Sequence, residues 1–300
     1  MTHETALTHI DHRVFGRGIL GRPRGGAAQA VVLLAVIACC GIFGTAARWF
    51  QLPELAQFDG SLLVGKSAAA NLLIIAVLML ICTLVGTLIA GCVRFEAGFF
   101  AACVGLMVIS LRSGTMQSVL FEAGGSQSVF GILAGEMVIL AAILGIVWTI
   151  LIKIGRVSMT PEIPQPNPPQ DSPPEGAVAG ISALVTQAIA TALILMFLCQ
   201  SQAKLQTLCS VFVASTVGTM IAYGIFPARP SAWFWGGTLL VGLIGYLLAA
   251  AGQDTQLVIG YPQGLFAPLA RPLPLDYASL GTAGAIVGYW SIRNKHLDGN

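Results

Sequence analysis

Glu136 is the residue whose type and position most favour chemistry. It is the eighth residue of an apolar run that predicts a helix over residues 129–152, which places it about 10 Å from the start of that helix. Ionisable side chains are costly at membrane depth and usually face a cavity or a partner. Glu136 is therefore a candidate ion or solute site, with Arg112 and Glu122 at the same end as candidate partners. The alternatives are a structural ion pair, or a helix that begins closer to Glu136 than this run suggests.

Other kinds of chemistry lack the residues they need. The four histidines all lie outside the apolar runs: His3, His9, His12 and His296. This excludes a bis-histidine haem within the membrane, an H-E-x-x-H zinc site and a Ser/His/Asp triad at membrane depth. The sequence also contains no P-loop motif and no G-x-G-x-x-G motif after a predicted strand. It therefore predicts no enzyme, no cofactor and no metal site.

The composition is that of a membrane protein. Of the 300 residues, 56% are hydrophobic and only 9% are charged, whereas roughly 25% charged residues is usual in soluble domains. The net charge of +2 is too small to suggest nucleic acid as a partner. The expected partner is the lipid bilayer.

Apolar runs predict an all-α, polytopic transmembrane bundle of about eight spans. We place the helices within residues 25–47, 68–91, 97–111, 129–152, 178–199, 205–226, 232–251 and 277–292. Two connections between them are predicted loops: Ser113–Ser128, which is polar, and Gly252–Asp276, which contains four prolines. The third run covers only about 22 Å as a helix, and the eighth is also short, so a re-entrant segment is the alternative for the third. The basic residues before the first run, the apolar run itself and the small residues Thr45-Ala46-Ala47 together resemble a signal peptide. We interpret that run as a retained helix, with cleavage as the alternative.

A proline-rich, hydrophilic segment, Ser158–Gly176, divides the runs into two sets of four. Such a composition favours an extended or disordered spacer over a packed core. The predicted organisation is a basic tail (1–27), a first membrane repeat (28–157), the linker (158–176), a second membrane repeat (177–293) and a short tail (294–300).

The two halves share a pattern that indicates duplication. Residues 85–90 and 217–222 both read Val-Gly-Thr-x-Ile-Ala, at an offset of 132. Aromatic residues begin the helix that follows in each half, and Gly105 then matches Gly242. Similar composition of glycine-rich apolar runs is the alternative explanation. Two four-span repeats would share one orientation, as in parallel-repeat transporters.

In lipid the hydrophobic effect does not drive helices together, so their association depends on close packing, which small residues allow. The predicted packing glycines are Gly86, Gly131, Gly135, Gly218, Gly284 and Gly288, four of them in two GxxxG motifs.

Lysine and arginine counts predict that both termini are cytoplasmic. With eight spans, the cytoplasmic side carries ten of these residues and the other side five, which satisfies the positive-inside rule. The expected location is the cell (inner) membrane. Repeat symmetry favours a transport-like function with a solute or ion site between the repeats. The scarcity of polar residues within the runs favours the alternative, a non-catalytic scaffold or assembly subunit with a membrane-protein partner or a second copy.

Overall fold

The computed structural model describes residues 26–47, 62–63, 68–122, 128–158, 177–201, 203–228, 231–251 and 268–298. These residues form helices and turns without any strand. The helices before residue 252 are α1 (Gly26–Ala46), α2 (Ala68–Ala90), α3 (Ala97–Arg112), α4 (Met116–Glu122), α5 (Ser128–Ser158), α6 (Ala177–Leu198), α7 (Lys204–Ile225) and α8 (Ala232–Ala251). A 3₁₀ turn, Pro268–Ala270, precedes α9, which comprises an α-helical turn (Pro274–Asp276), a π-helical turn (Tyr277–Gly281) and an α-helix (Thr282–Asp298).

Six helices in the described part of the chain are long and apolar enough to cross a membrane: α1, α2, α5, α6, α7 and α8. The shorter α3 has 16 residues. Large apolar side chains face outward, with Leu88 86% exposed and Phe197 79% exposed. Exposed apolar surface of this kind needs an apolar solvent, and helices satisfy their own backbone hydrogen bonds within lipid. The chain is an integral membrane protein.

Each predicted run corresponds to a helix, but two predicted loops were partly wrong. The loop predicted over Ser113–Ser128 contains α4, which Thr115 and Ser118 start by exchanging hydrogen bonds. Such reciprocal bonds satisfy amide groups that the first helical turn leaves free. With only seven residues, this helix is too short to produce an apolar run that hydropathy would reveal.

The loop predicted over Gly252–Asp276 ends inside α9. Pro274 occupies the first turn of this helix, where its missing N–H group costs no hydrogen bond. Asp276 caps the same turn, because its Oδ2 accepts a hydrogen bond of 2.9 Å from the backbone N–H of Leu273. Of the predicted linker only Ser158 is described, and the basic residues before 26 lie outside the described part.

Four helices form the boundary between the two halves: α3 and α5 of the first half, and α8 and α9 of the second half. The helices α1, α2 and α3 pack together, and α6 packs on α7 and α8. The last helix of each half also contacts the other half: α5 packs mainly on α8, whereas α9 packs mainly on α7 of its own half and also contacts α3. At this boundary the Trp148 ring of α5 lies 5.2 Å from the Phe99 ring of α3 and 6.2 Å from the Trp235 ring of α8.

Four of the six predicted packing glycines lie at close helix contacts. A Cβ atom at Gly86 would lie 3.0 Å from the Cα atom of Gly98. A Cβ at Gly284 or Gly288 would press against backbone carbonyl oxygens of α7, and one at Gly218 would press against Thr191 of α6. The equivalent glycines of the proposed repeat, Gly86 and Gly218, thus contact different partner helices.

The remaining pair, Gly131 and Gly135, faces outward on α5. Both are exposed, and a Cβ at either position would meet nothing within 4 Å. This GxxxG motif therefore does not pack against any described residue of the chain.

Candidate ion site at the interface of the two halves

A lysine–aspartate pair lies where α3, α7 and α9 meet. Lys204 is the first residue of α7, and its Nζ lies 2.6 Å from Oδ1 of Asp276 in the first turn of α9. The Asp276 side chain is 1% exposed and that of Lys204 is 15% exposed. Removing charges from water costs several kcal/mol per ion, so such a pair persists only with good geometry and further hydrogen bonds.

Ser110 of α3 and Ser113, the residue that follows α3, supply those further bonds. Ser110 Oγ donates to Asp276 Oδ1, and Lys204 Nζ donates to Ser113 Oγ at 3.1 Å. Ser113 Oγ in turn donates to the carbonyl oxygen of Ser110 at 2.7 Å. With the N–H of Leu273 on Oδ2, both carboxylate oxygens of Asp276 have partners. The pair is therefore held by α3 of the first half and by α7 and α9 of the second half.

The π-helical turn directly follows Asp276. Ser279 Oγ donates to the carbonyl oxygen of Leu275 at 2.6 Å, and the extra residue shifts the register of the backbone bonds. Gly281 closes the turn, and a Cβ there would lie 2.7 Å from Cγ2 of Thr238 and 3.0 Å from Cγ1 of Val211. Single π turns inside α-helices are frequent at functional sites. Asp276 thus lies in the first turn of α9, directly before this π turn.

Glu136 lies buried in the same region, near Asp276. Its side chain is 0% exposed, and its Oε2 accepts a hydrogen bond of 3.3 Å from the backbone N–H of Leu63. The first turn of α9 packs on α5, which carries Glu136. The buried hydroxyl of Tyr246 interacts electrostatically with both Glu136 and Asp276, and it donates to the carbonyl oxygen of Pro272. The two carboxylates thus share one end of the bundle.

Of the two predicted partners of Glu136, only Arg112 has a described side chain. Arg112 is exposed at the end of α3, and its described contacts do not include an ion pair with Glu136. Glu122 ends α4, and its side chain lies outside the described part. Of the charged residues in this region, Glu136 was predicted from the sequence, whereas Asp276 and Lys204 were not. The signal for Asp276 was present, because an acidic residue two positions after a proline is typical of a first helical turn.

Polar side chains also occur deeper in the second half, where few had been expected. Gln187 of α6 is 0% exposed, and its Nε2 donates to Thr191 Oγ1 at 3.0 Å and to Thr238 Oγ1 at 2.8 Å. Among the described residues, Gln187 Oε1, Ser215 Oγ and Thr219 Oγ1 are buried without a hydrogen-bond partner. Gln187 lies about 15 Å from the first residue of α6. Polar atoms therefore reach well into the helical bundle.

A second polar cluster joins the halves at the opposite end. Glu96, just before α3, accepts hydrogen bonds from Ser231 Oγ at 2.5 Å and from Trp290 Nε1 at 2.7 Å. The guanidinium carbon of Arg94 lies 5.1 Å from the centre of the Trp290 ring. Burial, together with Arg293, lowers the pKa of the Arg94 guanidinium from its usual value.

The described geometry thus gives a membrane-embedded bundle with a serine-bound lysine–aspartate pair between its halves and a second carboxylate nearby. Comparison with protein-family models, with curated proteins and with solved structures finds no match to this chain.

Proposed function

We propose that this integral membrane protein transports a proton or a small cation, and that the Lys204–Asp276 pair is its exchange site. The observation that carries the proposal is a buried ion pair between the two halves of a membrane protein. Ionisable groups at such places mark ion pathways and proton relays more often than they serve packing alone.

The pair is suited to exchange because the ammonium group is replaceable. A proton on Asp276, or a cation beside it, neutralises the carboxylate as the ammonium of Lys204 does. Ser110 and Ser113 offer hydroxyl oxygens at the same place, and hard cations prefer carboxylate and hydroxyl ligands. The side chain of Lys204 is 15% exposed, so part of it is accessible from outside the bundle. Glu136 is the second carboxylate of the proposed pathway.

Tandem repeats and the predicted orientation complete the proposal. Duplication is supported by the crossed packing of α5 on α8 and of α9 on α3, although the matched glycines differ in their contacts. With both termini in the cytoplasm of a cell whose inner membrane holds the protein, the Lys204–Asp276 pair opens towards the non-cytoplasmic side.

A second candidate function, scaffold or assembly subunit, is favoured by one observation. The Gly131–Gly135 face of α5 points outward and has open space beside it. GxxxG faces are typical of helix–helix association in membranes, so this face fits a membrane-protein partner or a second copy of the chain.

Flux measurements in proteoliposomes separate these functions. We would reconstitute the protein with a pH-sensitive dye inside the vesicles and impose sodium, potassium or proton gradients. The key variant is Asp276→Asn with Lys204→Gln, which removes both charges and leaves no unpaired ion. The matched control is Asp171→Asn, in the linker.

Transport through this site predicts that wild type and control carry flux, while the double variant is folded but at least about tenfold slower. Glu136→Gln should reduce the rate as well. A double variant with wild-type flux would show that the pair only holds the two halves together and does not take part in transport. Absence of wild-type flux under every gradient would favour the scaffold, with co-purification as the next step.

A further inference from the structure

A groove of about 830 Å³ runs along the outside of the bundle, far from the Lys204–Asp276 pair. It lies between α1, the turn joining α2 to α3, α3 itself and α9. Residues that line it include Gly26 and Val36 of α1, Val104 of α3 and Trp290 of α9. Leu33 of α1, also in the lining, is 59% exposed, so the groove is open to the surrounding lipid.

The groove extends from one end of the bundle towards its middle. From Gly26 to Val36 the wall formed by α1 covers eleven residues, and its ends are about 15 Å apart, which is about the depth of one leaflet of the hydrocarbon core. Among the described residues that line the groove, Arg94 alone is charged. It lies at the end of the groove that Gly26 and Trp290 mark, where a membrane helix begins.

The charges around Arg94 favour an anion at this end. The Arg94 guanidinium stacks over Trp290, and the nearby Arg293 adds a second positive charge that repels it. Among the described residues, the carboxylate that faces Arg94 is that of Glu96, which attracts the guanidinium and also accepts hydrogen bonds from Ser231 and Trp290. Arginine remains charged at neutral pH even where burial lowers its pKa. Among the described side chains here, two guanidinium groups face one carboxylate, so their combined charge beside the apolar channel is positive.

We propose that this groove binds an anionic phospholipid, with its phosphate at Arg94 and an acyl chain along α1. The apolar walls suit the acyl chain, and the guanidinium suits a phosphate, to which arginine can donate two parallel hydrogen bonds. Basic pockets between membrane helices recognise lipid head groups in this way. This site is independent of the proposed transport, because it uses none of the residues of the exchange site.

Native mass spectrometry of the full-length protein in detergent tests the site. The probes are phosphatidylglycerol and phosphatidylcholine with identical acyl chains. We expect phosphatidylglycerol to bind about fivefold more tightly, which corresponds to one favourable arginine contact near a membrane surface. Arg94→Gln should abolish that preference.

Lys153→Gln is the matched charge control. Lys153 is exposed on α5, five residues beyond Trp148, which contacts Phe95 next to Arg94. It is therefore at the same end of the bundle as the groove but does not line it. The preference for phosphatidylglycerol should survive this substitution.

A second pair of variants tests the acyl-chain part without touching a charge. Val36→Trp fills the groove and should weaken the binding of both lipids several-fold. Ile37→Trp adds the same ring at a position that is 59% exposed and does not line the groove, so it should bind as wild type does.

Three results would overturn the proposal. Equal binding of the two lipids by wild type would remove the anionic preference, and this measurement needs no variant. Equal effects of Arg94→Gln and Lys153→Gln, or of Val36→Trp and Ile37→Trp, would place the lipid elsewhere. Displacement of phosphatidylglycerol by millimolar inorganic phosphate would show that the site recognises a free anion.

Discussion

Replacing Asp276 with asparagine should strongly destabilise the protein, because the ammonium of Lys204 would stay in the interior without a carboxylate. Its side chain is only 15% exposed. Breaking a buried pair by removing one partner costs about 3–5 kcal/mol. We expect about 3 kcal/mol, the lower limit, because Lys204 would keep its hydrogen bond to Ser113 and some contact with water.

The double variant Asp276→Asn with Lys204→Gln should recover much of that loss. Without either charge, no ion remains to be desolvated, and two amides can bond to each other in place of the salt bridge. We therefore expect a total loss of about 1–2 kcal/mol, well below the sum of the two single losses. Groups in direct contact commonly show coupling energies of about 0.5–3 kcal/mol.

The assay is reversible unfolding by dodecyl sulfate in mixed micelles, followed by far-UV circular dichroism for wild type, both single variants and the double variant. The four free energies form a double-mutant cycle. Additive losses, with a coupling energy below about 0.5 kcal/mol, would refute the argument that the pair is a desolvated ion pair. The flux of the same double variant then shows whether the pair is a purely structural contact or an exchange site.

Two further predictions concern packing and topology. Gly288→Ala should cost about 1–3 kcal/mol, because its Cβ would press against a carbonyl oxygen of α7; Gly135→Ala, which has open space, should cost nothing measurable in the same unfolding assay. In single-cysteine variants, an impermeant maleimide should label the exposed Cys92 only from the cytoplasmic side of vesicles, whereas Cys199 should stay unlabelled at pH 7.5. Burial raises the pKa of Cys199 to about 11, which keeps it as the unreactive thiol. Labelling of Cys92 from the opposite side would reverse the proposed orientation.

The helices were predictable because the local composition changes where each apolar run begins and ends. The run predicted over residues 232–251 is α8 itself, since charges, prolines and glycines interrupt the apolar runs on both sides. Lipid demands continuous apolar helices, so hydropathy along the chain is sufficient to find them. The short α4 carries no such pattern and was missed.

The contacts between helices were not predictable in the same way. Lys204 and Asp276 are 72 positions apart, and hydropathy does not say which helix ends meet. Asp276 was assigned to a loop because four prolines precede it, although Pro274 in fact begins the helix. A GxxxG motif likewise identifies a face with small residues without identifying its neighbour, so Gly284–Gly288 packs while Gly131–Gly135 faces outward.

The two polar clusters between the halves differ in a way that bears on mechanism. Glu96 is held by two neutral donors, Ser231 and Trp290, so its cluster does not depend on an ammonium partner that an ion could replace. At the other end the contact of α7 with α9 depends on Lys204 and Asp276. A proton or cation on the Asp276 carboxylate would neutralise the charge that attracts the ammonium of Lys204. Binding of an ion would therefore loosen one end of the interface while the other end holds. On the proposed exchange function, the bundle would therefore alternate between two states about its Glu96 end.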